Sequence, residues 1–251
     1  MMKRSKSEDE SNRKARVLMM HGYESGPGGV KTKALQAAGF DVLAPDMRPL
    51  LTGSKAKRDG MRSIVALAGV AGCLAAFNVY HYGALGGPAN LLVAVLFFCL
   101  LHRLLMGSVR AVIGACAGLQ MDAIKQFCPD IIVGSSFGGL VALHCLREGA
   151  FRGPALVLAP AICGHRTVNW LRSPLVQLPN AYHGPCLIIH GTADSVCPIE
   201  DSREFVRRHP IVNLLEIEGG DHRLHAISNS LADHVNQLIA KARSRSIVGQ
   251  L

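Results

Sequence analysis

The chain has 251 residues, enough for one large domain with its own core. Apolar residues make up 49% and charged residues 18%, with a mean hydropathy of +0.24, which excludes disorder, a coiled coil or a collagen-like array as the main architecture. The net charge of +9 suggests nucleic acid, but eleven of the 27 basic residues lie in a leading tail and in a group from Arg48 to Arg62. No nucleic-acid motif accompanies them and aromatic residues are only 5%, so no nucleic-acid partner is expected.

In chain order, residues 1–16 read as a disordered tail. An apolar strand at 17–20 ends at His21-Gly22, and a short helix over 31–38 leads to a strand at 41–44 closed by Pro45-Asp46. Then comes a run of 40 residues, Ser63 to His102, without one Asp, Glu, Lys or Arg. The apolar excess is therefore concentrated. After the run, 109–127 has helical spacing, 131–133 reads as a strand and 136–147 as a helix. Further strands are expected at 155–158, 187–190 and 213–217, and a closing helix over about 230–242, with 243–251 a second tail. The globular domain is expected over 17–62 and 103–242, interrupted by the charge-free run. Strands alternating with helices predict an α/β fold, a doubly wound, mostly parallel sheet whose site lies at the carboxyl ends of its strands.

Three strand ends carry chemistry. Gly134-Ser135-Ser136-Phe137-Gly138 is a G-x-S-x-G sequence between a strand and a helix, where glycines permit the tight turn that lifts a serine hydroxyl above the sheet. Asp194, four residues past the strand at 187–190, is placed to orient an imidazole, whereas Glu200 and Asp201 read as residues of a helix N-terminus. His222 stands in Gly219-Gly220-Asp221-His222, past the last strand, as general base, with His225 a less suitable rival on a helix surface. The order Ser136, Asp194, His222 is that of a nucleophile elbow. The oxyanion of the reaction needs donors, expected from the backbone N–H groups of Phe137 and of Tyr23 in the loop after the first strand.

These residues resemble the α/β-hydrolase superfamily, nearest its small bacterial-type esterase branch, through "HGYESGPGG", "VLAPDMR", "VGSSFGGLVAL", "HGTADSVCPIEDSR" and "GGDHRLH". The resemblance covers about half the chain. It implies a reduced form of that fold and a serine hydrolase of esters or thioesters, with no cofactor and no metal and with Ser136, Asp194 and His222 as its triad. Two departures stand out: the first strands of the full fold are missing, and the charge-free run is foreign to it. Alternatives are a hydrolase-fold membrane scaffold or binding protein with little catalysis, and a serine peptidase on the same triad.

Residues 63–102 divide into apolar segments of 17 and 18 residues, 64–80 and 84–101, around His81-Tyr82-Gly83. Neither has a polar stripe, and basic residues flank both ends, which predicts a helical hairpin anchored in a membrane with the catalytic domain in the cytosol. The alternative is a soluble cap on a cytoplasmic enzyme. Because the run leaves the sheet at a strand's carboxyl end, a small-molecule or lipid-like acyl substrate near a membrane surface is expected. The segment 163–184 is a further lid candidate. Eight cysteines without paired spacing read as buried, reduced thiols, and the charged N-terminus does not read as a secretory signal.

Overall fold

The computed structural model describes residues 13–53, 88–164 and 173–248. Strands β1 (Arg16–Met20), β2 (Asp41–Leu43), β3 (Ile131–Ser135) and β4 (Ala155–Leu158) are joined by helices. These are α1 (Val30–Ala37), α2 (Arg48–Gly53), α3 (Pro88–Phe127) and α4 (Phe137–Arg147). A two-stranded antiparallel ribbon, β5 (Cys163–Gly164) with β6 (Ser173–Pro174), precedes β7 (Cys186–Gly191). Helix α5 (Ile199–Arg208), β8 (Val212–Ile217), a 3₁₀ turn (His225–Asn229) and α6 (Leu231–Val248) complete the described chain.

Six strands form one parallel sheet in the order β2-β1-β3-β4-β7-β8. The central strands β1, β3 and β4 read as unbroken apolar runs because both faces of a parallel sheet are covered. One face packs on α1 and α6 through Val17, Leu35, Ile131, Leu156, Val235 and Leu238. The strand order switches direction between β1 and β3. Loops at the carboxyl ends of β1, β3, β7 and β8 therefore stand together along one edge of the sheet.

The chain divides into two compact units, one comprising the residues through Arg48 and from Cys116 onward, the other spanning Pro49–Ala115. The sheet belongs to the first. Most of the expected hairpin at 63–102 lies outside the described residues. From Pro88 onward the chain forms one 40-residue helix, α3, in place of an apolar segment ending at 101 and a separate helix starting at 109. Pro88 suits its first position, and the only breaker between 102 and 110 is Gly107, whose cost of about 1 kcal/mol does not interrupt so long a ladder. Val95, Leu96 and Leu100 are exposed on it. Among the described residues, no helix is long and apolar enough to cross a membrane, so the expected spanning hairpin finds no support there.

Two smaller differences have local causes. Helix α6 continues past 242 to Val248, because Ala242, Arg243 and Arg245 are good helix formers and glycine first occurs at 249. Cys116, Cys145, Cys186 and Cys197 are buried as expected, and burial pushes the first three thiols up to about 11, 12 and 12. Cys99 and Cys128 are exposed instead.

Leu156 is fully buried in the central strand β4. Leu156→Ala is expected to lower unfolding free energy by about 2–5 kcal/mol in denaturant titration. A loss below about 1 kcal/mol would contradict the packing described.

Candidate active site

Ser136 joins β3 to α4 with φ 55° and ψ −118°, a conformation a non-glycine residue adopts only when its surroundings hold it there. Here they do. Its N–H donates to Leu158 O at 2.8 Å, and its carbonyl accepts from the N–H groups of Gly139, Leu140 and Ala161 at 3.0–3.2 Å. Two glycines make the turn possible by close approach. A Cβ on Gly138 would run into the backbone carbonyl of Met20, and one on Gly134 would lie 2.7 Å from Gly139 Cα. The Ser136 turn is thus pressed onto the end of β1.

The Ser136 hydroxyl donates to His222 Nε2 at 2.9 Å, and His222 Nδ1–H donates to Asp194 Oδ2 at 2.7 Å. Residues separated by 86 and 28 positions therefore meet in one line of hydrogen bonds. The direction follows from the carboxylate, which only accepts and so fixes the proton on Nδ1 and leaves Nε2 as acceptor.

Asp194 has no exposed side-chain surface. Burial pushes its pKa up, but the hydrogen bond from His222 and the backbone N–H groups of Cys197 and Val196 outweigh it, leaving the carboxyl below its ordinary value. Those two amides reach Oδ1 at 2.8 and 2.7 Å. The loops bearing Asp194 and His222 interlock: a Cβ on Gly191 would strike the Gly220 carbonyl, Ala193 N–H donates to Gly220 O at 3.0 Å, and Gly219 N–H donates to Thr192 Oγ1 at 2.8 Å. Lys31 of α1 anchors the histidine loop from the other side, its Nζ donating to Arg223 O at 2.9 Å. Burial lowers the Lys31 pKa against the opposing pull of Asp221.

Of the expected oxyanion donors, Phe137 follows Ser136 as the first residue of α4. Tyr23 belongs to a loop that crosses Ser136: a Cβ on Gly22 would lie 3.3 Å from Ser136 Cβ. The buried His21 holds that loop. Met47 N–H donates to its Nε2 at 2.9 Å, so the other nitrogen carries the proton and donates to Gly22 O at 2.9 Å. The Gly22 carbonyl and the Tyr23 N–H share one planar peptide, so fixing one aims the other. The only sign of this in the sequence is the His-Gly pair at the strand end, which by itself reads as a turn.

The rivals stand elsewhere. Glu200 and Asp201 occupy the first turn of α5. His225 is exposed, but it lines the same cavity as the serine. That cavity, of about 500 Å³, opens over Ser136 and His222 and is walled by Met19, Tyr23, Val30 and Val196. Among the described residues, no cluster of His, Cys, Asp and Glu has the arrangement of a metal site.

No family model and no curated protein matches the chain. Solved structures do. TT1662 from Thermus thermophilus superposes with a TM-score of 0.52 at 15% identity, covering 90% of this chain and 89% of its own. Mouse alpha/beta hydrolase domain-containing protein 10 gives 0.50 at 15% identity, over 91% of each chain. With the six-stranded parallel sheet, this likeness shows that the chain has the α/β-hydrolase fold.

The lowered Asp194 pKa links the site to stability. Its ionised form contributes stability that is present above the unfolded carboxyl pKa, about 3.9, and is lost as pH falls through the lower folded value. Asp194→Asn is therefore expected to destabilise the protein at pH 7, with the gap to wild type closing below about pH 4. A gap that persists unchanged in thermal melts at about pH 3 would contradict this.

Proposed function

We propose that the protein is a serine hydrolase of carboxylic esters or thioesters, acting through an acyl-enzyme. The observation that carries this reading is the hydrogen-bonded line Ser136–His222–Asp194 at the mouth of a cavity, on a strained turn. Ser136 Oγ attacks the acyl carbon as His222 Nε2 takes its proton. Asp194 keeps His222 in the tautomer that accepts at Nε2 and stabilises the imidazolium then formed. The backbone N–H groups of Phe137 and Tyr23 receive the negative charge on the carbonyl oxygen. His222 next returns its proton to the departing alkoxide or thiolate. Water, deprotonated by the same imidazole, then attacks the acyl carbon, releases the acid and restores Ser136.

The apolar side chains of Met19, Val30 and Val196 in the cavity wall support a lipophilic acyl group, with Glu24, Lys31 and Arg223 lining the same cavity. The charge-free run of 40 residues, with Val95, Leu96 and Leu100 exposed on α3, supports delivery of that substrate from a membrane surface on which this segment rests. Failure of the protein to float with phospholipid vesicles at low salt would count against the membrane part.

Ser136→Ala is expected to fold normally and to lose at least ~10³-fold of hydrolysis of p-nitrophenyl esters and acyl thioesters, together with labelling by a serine-directed fluorophosphonate. A folded Ser136→Ala protein that retained wild-type hydrolysis would refute the assignment. Cleavage of peptide amides at rates rivalling esters would favour a peptidase.

A further inference from the structure

The mechanism uses one imidazole on Asp194, and the structure contains two. His190, the penultimate residue of β7, is fully buried. Its Nε2 lies 2.9 Å from Cys197 O and 3.1 Å from Asp194 Oδ2. Both neighbours accept only, so Nε2 carries a proton and shares it between them. The opposite nitrogen, Nδ1, lies 2.7 Å from the hydroxyl of the fully buried Ser202 on α5, which donates to it when Nε2 holds the ring proton. The ring is thus locked in one orientation and one tautomer, with its N–H aimed at the carboxylate oxygen that His222 uses. Oδ1 is held by amides, and Oδ2 stands between two imidazoles.

Such an arrangement has an electrostatic consequence. A hydrogen bond donated to Oδ2 from behind withdraws part of the negative charge that this oxygen presents to His222. It keeps the carboxylate in place while limiting how strongly it favours the cationic form of His222, which must be neutral to accept the Ser136 proton. The charged groups around His190 are Asp194 in its own loop and Glu216 on β8, whose carboxylate interacts with the ring through space and is itself held by Arg203 of α5.

We propose that His190 is a positioning residue for the triad carboxylate, its buried N–H setting both the orientation of Asp194 Oδ2 and the basicity of His222. This rests on the proposed hydrolase reading of the same site. Ser202 serves the same end by fixing the ring.

The test compares full-length wild type with His190→Leu, His190→Asn and His190→Gln, measuring kcat/KM for p-nitrophenyl acetate against pH, with circular dichroism melts as control. A glutamine amide reaches the place of Nε2. An asparagine amide is too short to reach Asp194, yet still accepts from Ser202. With the N–H lost, the acid limb of kcat/KM is expected to move up by roughly half a pH unit in the Leu and Asn variants, with KM little changed. The Gln variant is expected to return the limb to the wild-type position. If the leucine protein does not fold, the Asn and Gln pair decides the matter. A folded Leu or Asn variant with an unmoved or lowered limb overturns the proposal, as does a Gln variant displaced as far as the others. Ser136→Ala is assayed alongside. If it stays active, the hydrolase reading fails and takes this inference with it; if it is inactive, an unmoved limb sinks the role of His190 alone.

Discussion

The backbone of the Ser136 turn lies against the end of β1 so closely that position 138 has no room for a single methyl group. The site depends on this close approach. It forces the chain through a positive φ at Ser136, brings the hydroxyl out above the sheet, and sets the loop after β1 directly across it. Strain at one residue, of order 1–3 kcal/mol, is tolerated because four backbone hydrogen bonds around Ser136 leave it no alternative. The parallel sheet supplies the frame: strands running in one direction bring all their outgoing loops to one edge.

The same solution occurs on the other side of the site. Gly191 and Gly220 allow the loops after β7 and β8 to touch backbone to backbone, so Asp194 and His222 are held by loops that brace each other. At both sides a buried histidine precedes the contact glycine: His21 before Gly22 and His190 before Gly191. Each uses one ring nitrogen to bind a distant element, Met47 N–H in one case and the Ser202 hydroxyl in the other, and turns its remaining N–H onto the site loop. Loops carrying chemistry are otherwise the mobile part of a domain. Here, imidazoles at the strand ends stiffen them.

Much of this is legible in the residues alone. The strand runs are short and bounded by Gly, Pro and Asp, so β4 is readable to the residue and the other strands of the six-stranded sheet within two at either end. Ser136, Asp194 and His222 can be singled out because each follows a strand end and because their order along the chain suits the turn. His21 and His190 escape such a reading because a His-Gly pair looks locally like a turn. What makes them matter is a partner 26 positions away for His21 and one 12 positions away for His190, which no local pattern announces. The continuity of α3 is hidden for the opposite reason. The shift from an uncharged to a charged sequence near Arg103 looks like a boundary, yet helix propagation responds to breakers and not to charge, and Gly107 alone is too weak a breaker.

Catalysis of this kind requires that Ser136 become covalently acylated through His222 and Asp194. Acid-quenched turnover of a p-nitrophenyl ester, followed by peptide mass mapping, reads that event itself. An acyl group is expected on the peptide containing Ser136, formed at a rate that falls steeply in His222→Ala. A stable acyl group on another residue, or acylation of Ser136 that proceeds unchanged without His222, would contradict the proposed chemistry.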